Sequence, residues 1–130
     1  MHQFLAILLL AATLTSASAV TRPDLGESLS WLYGYWELAT DEDGGVKGMD
    51  VDEFRPDGTY SILGPNCKPQ LGHYHVFDGN IFVAFDVPGK GPIAMIFRPS
   101  PTKKTLTYTS PRTRNNATFE KLPGSPCARG

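Results

Sequence analysis

Trp31-Leu32-Tyr33-Gly34-Tyr35-Trp36-Glu37-Leu38 is the stretch around which the rest of the chain is organised. A short apolar run passes through a glycine, which lets the backbone turn or approach where a side chain could not, into a second tryptophan two residues on. An indole at that point is large enough to cap one end of a core. The pattern predicts the plug of a small barrel, with everything downstream wrapped around it.

Upstream, Leu25, Leu29 and Leu32 recur at helical spacing, so 21–32 reads as a short N-terminal helix or 3₁₀ turn that closes the barrel's end. Downstream the period changes to two. Tyr35 to Ala39 reads as a first strand, broken by Asp41-Glu42-Asp43-Gly44-Gly45, with Val46 to Arg55 as its return. Pro56-Asp57-Gly58 supplies a preset φ and then a positive one between aromatic-bearing runs, the chemistry of a hairpin. Further strands follow at Tyr60 to Leu63, Gln70 to Phe77, Ile81 to Val87, Ile93 to Arg98, Thr105 to Thr109 and Ala117 to Leu122. These eight strands are joined by short turns, with no helix long enough for a crossover. The expected fold is therefore all-β, an antiparallel up-and-down meander that closes to remove its edges.

Residues 1–19 read as a signal peptide, because Phe4 to Ala12 is too short an apolar run to span a bilayer and Ala17-Ser18-Ala19 suits a signal peptidase. No Lys or Arg precedes that run, and an uncleaved anchor is the rival reading. The expected product starts near Val20, is periplasmic or secreted, and makes no stable membrane insertion. Cys67 and Cys127 both lie in Pro-rich loop sequence and lack the spacing of a redox or zinc motif. An even count in an exported chain argues for one disulfide rather than two free thiols.

Four sets of residues together resemble the small bacterial lipocalin-like (calycin-type) β-barrel proteins. They are Gly34-x-Trp36 after a short helix, Phe54-x-x-Asp57-Gly58-Thr59-Tyr60, Gly72-x-Tyr74-x-Val76, and a last strand ending Phe119-Glu120-Lys121. The likeness runs from about Leu29 to Leu122 and makes 20–130 one eight-stranded lipocalin-like barrel. It implies that Lys121 packs over Trp36 and that the disulfide ties a mid-barrel loop to the C-terminal tail. It also implies an apolar cavity at the barrel mouth, although such a barrel can equally be filled by its own side chains. The interior candidates for ligand contact are Trp36, Phe54, Tyr60, Tyr74, Phe85 and Tyr108. Fold likeness does not fix function.

Charge is uneven: four Lys/Arg against twelve Asp/Glu from 20 to 87, then eight against one from 88 onward. First and last strands are neighbours in a closed barrel, so self-complementarity across the seam is expected in preference to nucleic-acid binding. His73 and His75 share a strand face but turn to solvent if Tyr74 and Val76 face inward, so no metal or other cofactor is expected. Asp50, Asp52 and Glu53, opposite Asp41 to Asp43, lack the spacing of a calcium loop and read as a solvated acidic ribbon. Asn116-Ala117-Thr118 is a glycosylation sequon, relevant in a eukaryotic secretory pathway. The strands 81–87 and 93–98 carry apolar residues on both faces, which implies either packing on two sides or an exposed patch. No G-x-S-x-G turn is present, and nothing places Asp50 and Asp52 in a cleft for acid/base work. Three readings result. The first is a carrier of a small apolar molecule, not an enzyme. The second is a module that binds an envelope protein, as an inhibitor or immunity protein does, through loops 41–43 or 112–116. The third is a barrel isomerase or cyclase.

Overall fold

The computed structural model describes residues 28–127. Alternation of inward and outward residues builds most of its strands. In the fourth, Gly72, Tyr74 and Val76 face inward while Leu71, His73, His75 and Phe77 face solvent. The strands are β1 Gly34–Asp41, β2 Val51–Phe54, β3 Thr59–Leu63, β4 Pro69–Phe77, β5 Asn80–Val87, β6 Gly91–Pro99, β7 Thr105–Thr109 and β8 Asn116–Lys121. Each pairs antiparallel with the next, and β1 pairs with β8, so the sheet is a closed eight-stranded barrel with no free edge.

The expected helix falls largely outside the described residues. Its last residues form a turn, in which Leu32 N–H donates to Leu29 O at 2.8 Å. Gly34 has φ +116°, yet a Cβ there would meet only Lys121 Cε at 3.6 Å, so backbone conformation and not close approach demands glycine. Close approach operates instead at Gly72, where a Cβ would lie 2.5 Å from Ala84 O. The second strand is shorter than the sequence implies, because 42–50 is a loop. Its local hydrogen bonds, Gly44 N–H to Asp41 O and Met49 N–H to Val46 O, divert the backbone from the ladder.

Trp36 is fully buried and closes one end of the barrel, its Nε1 donating to Leu32 O at 2.8 Å. Trp31 meets it edge-on with centroids 6.4 Å apart. Lys121 Nζ lies 5.7 Å from the Trp36 ring centroid and donates to Trp31 O at 2.6 Å. The basic residue expected over the tryptophan is therefore in place. The expected ionic match across the seam is not. Glu37 stands opposite Glu120, and the paired residues of β1 and β8 form no ion pair. Most of the basic residues after 88 lie in turns, and Lys121 is engaged at the plug.

Cys67 and Cys127 are bridged, with Cα atoms 5.8 Å apart. The tail leaves β8 at the plug end, where Leu122 N–H donates to Tyr35 O, passes Glu37, and reaches the loop after β3 at the other end. Such a bridge points to an oxidising, non-cytoplasmic compartment. Among the described residues no helix is long and apolar enough to cross a membrane. The bridge closes a 60-residue separation. Cys127→Ser should therefore lower stability by about 4 kcal/mol in the chain-entropy model, measured by urea unfolding, with the far-UV circular dichroism of the barrel retained.

Candidate functional site

Five of the six aromatic candidates pack the interior. Trp36, Phe54 and Tyr60 are fully buried and Phe85 nearly so. Phe54 meets Tyr60 and Tyr74 with centroids 5.1 Å apart in each case, and Tyr60 meets Phe85 at 6.3 Å. Tyr74 donates its hydroxyl to Arg55 O at 2.6 Å. Trp36 stands apart from this set at the plug. Tyr108 reaches the others through Phe97, at 6.1 Å from each of Tyr108 and Phe54, and is the one candidate that lines a cavity at the mouth.

That cavity has a volume of about 180 Å³ and lies between the loops 42–50 and 110–115. Leu38, Met95, Tyr108, Ala117 and Phe119 form an apolar floor, and Asp41, Asp43, Asp50, Ser110 and Asn115 form the rim. The two loops are laced together. Asp43 accepts from Thr113 Oγ1 at 2.8 Å and Asn115 Nδ2 at 2.7 Å, while Glu42 accepts from Asn116 N–H at 2.6 Å. The bonds from Asn115 and Thr113, with a smaller contribution from the Arg112 charge, hold the Asp43 carboxyl below its ordinary pKa. Asp41 accepts from its own loop, from Asp43 N–H at 2.9 Å and Gly45 N–H at 3.2 Å.

Asp50 differs from both. It is half-buried, and no hydrogen-bond or ionic partner meets its carboxylate among the described residues. Burial first, and the neighbouring Asp41 charge second, raise its pKa. Two residues on along the same strand face, Asp52 is only 2% exposed and accepts a hydrogen bond from the Tyr60 hydroxyl. Burial pushes Asp52 up to about 7 against the lowering effect of the Tyr60 bond, with Asp50 adding to the rise. Tyr60 is itself raised well above its ordinary value, chiefly by burial.

The solvated acidic ribbon expected from the sequence is therefore corrected. Glu53 faces out and pairs with Arg55, whereas Asp50 and Asp52 face in. The signal was present, since Phe54 is an obvious core residue and a period of two places 52 and 50 on its side. His73 and His75 are exposed, His75 stacking on Phe82 at 5.2 Å. Among the described residues no three His, Cys, Asp or Glu are placed to hold a metal ion. Ala94 and Ile96 lie exposed on the outer face of β6 beside Phe82 and Ala84, so this part of the barrel wall does present an outward apolar patch.

Comparisons with family models, with curated proteins and with solved structures return no match to this chain.

Asp52 makes stability pH-dependent in a defined direction. Its pKa is about 7 in the fold against 3.8 for the free group, so the folded chain holds a proton that the unfolded chain releases. This contribution is full below about pH 4 and is lost as pH rises through 7. Urea unfolding of Asp52→Asn should show a gain over the parent that grows between pH 4 and 8, reaching on the order of a few kcal/mol.

Proposed function

We propose that the protein is an exported lipocalin-like carrier that binds a small, largely apolar molecule noncovalently in the mouth of its barrel. The observation that carries this reading is the cavity of about 180 Å³ with its apolar floor. An apolar void of roughly 150 Å³ accepts a benzene-sized guest, so one ring with a short arm fits. The floor residues sit on strands, which hold a site more rigidly than loops do. The loop 42–50, which contributes Asp43 and Asp50 to the rim, also carries Val46 and Met49 exposed. Export rests on the signal-peptide pattern of 1–19 and agrees with the disulfide.

A second reading rests on the outer face of β4 to β6. Leu71 is 64% exposed and Ile96 47%, beside Ala84 and Ala94. A face of this kind, apolar but interleaved with His73 and His75, fits a protein partner in the envelope, with the barrel acting as a scaffold. Ile96→Asp would abolish that association and leave ligand binding intact.

Native mass spectrometry of the mature protein, taken without detergent from its host's envelope, tests the carrier reading by a retained small-molecule adduct. Ala117→Leu fills the cavity from its floor. It should weaken binding of that ligand at least tenfold, by calorimetry, without lowering the melting temperature. Unchanged binding would remove the mouth as the site.

A further inference from the structure

We propose that the molecule held in the mouth is a small organic cation, an ammonium on an apolar body, with the Asp50 carboxylate as its counter-ion. This rests on the carrier reading above and names the chemical class it would take.

Of the three carboxylates on the rim, Asp43 is committed to Thr113 and Asn115, and Asp41 to backbone donors of its own loop. Those two hold the rim in shape. Asp50 holds nothing, although it is half-buried in the cavity wall and close enough to Asp41 for the two charges to repel. Its carboxylate is partly shielded from water and has no protein donor, so it is an acceptor that the fold leaves uncommitted and that a cation entering the mouth would meet. No Lys or Arg lines the cavity. The buried Asp52 below it, on the same face of β2, adds a second acidic group and no compensating charge. The floor supplies the other half of the specification. Leu38, Met95, Tyr108 and Phe119 offer no donor or acceptor other than the Tyr108 hydroxyl, and the rings suit an aromatic or branched body.

Size and charge then narrow the class. The volume equals roughly six waters' share of the liquid, which admits one ring and a two-carbon arm but not a long polyamine. Fatty acids and other anions would meet the unpaired carboxylate and be repelled. A metal ion is disfavoured because it needs several free oxygen ligands, and no such trio is placed among the described residues.

The test uses the disulfide-bonded mature protein at neutral pH and three probes of one shape: 2-phenylethylamine, the neutral 2-phenylethanol and the anionic phenylacetate. Calorimetry should give the amine at least tenfold tighter than the alcohol, with phenylacetate not bound. Asp50→Asn should reduce amine affinity at least tenfold and leave the alcohol unchanged. Asp86→Asn, on the outer face, should change neither. The ligand-free Asp50→Asn protein should melt no lower than the parent, because the carboxylate has no bond to lose; a large fall would overturn its assignment as unpartnered. Equal affinity for amine and alcohol, or an amine affinity indifferent to Asp50→Asn, would overturn the cationic class while the carrier reading stood. Absence of binding by all three probes would overturn both.

Discussion

The pairing of β1 with β8 is the constraint on which the rest depends. An eight-stranded sheet left open would expose two edges and an apolar inner face; closing it satisfies both ladders and forces every inward side chain into one shared volume. The register of that seam sets Trp36 opposite Lys121, and the ammonium then lies over the indole and bonds to the carbonyl of Trp31. Lys121 is partly desolvated there, which lowers its pKa, and the cation–π contact and carbonyl bond offset that cost. The seam is thus held by ladder hydrogen bonds, by the Thr40–Thr118 hydroxyl pair, and by clamps at both ends: Lys121 at the plug, and Glu42 and Asp43 accepting from 113–116 at the mouth. No ion pair between β1 and β8 adds to it.

Closure also makes the barrel unequal along its axis. At the plug end, large rings meet one another and leave no space. At the other end the inward residues shorten or turn polar, with Ala117 and Asp50 where rings might have stood. The packed half serves as a foundation for the hollow half, since the strands that carry Leu38, Met95 and Phe119 run on into the aromatic core. The two loops at the mouth then need only a few hydrogen bonds between them to keep the rim in place.

Much of this was legible in the sequence, and the reasons are local. Pro56-Asp57-Gly58 and Asp78-Gly79 announce turns whose conformations few other residues adopt readily, so the strand ends that flank them could be placed to within a residue or two, whereas the far end of β2, which no such turn marks, begins five residues later than its apolar pattern implies. The Cys67–Cys127 bridge follows from an even cysteine count in a chain with an export signal, and the Lys121–Trp36 contact from the lipocalin resemblance. The acidic segment misleads because its composition speaks for solvent while its period, counted back from Phe54, speaks for the interior. Cavity filling was not legible at all. Whether Tyr60 packs against a neighbour or against a guest depends on volumes summed over eight strands, and no single stretch records that sum.

The path of the tail has a mechanical consequence. Because Cys127 is joined to Cys67, a pull applied to the two ends of the chain enters through β1, β2 and β3, crosses the sulfurs and leaves. The strands β4 to β8 lie inside the covalent loop and carry no tension along their own backbone. Under load only the first three strands can be drawn out, and they must be sheared from β8 on one side and β4 on the other. The five strands that hold most of the cavity floor are thereby kept out of the line of force.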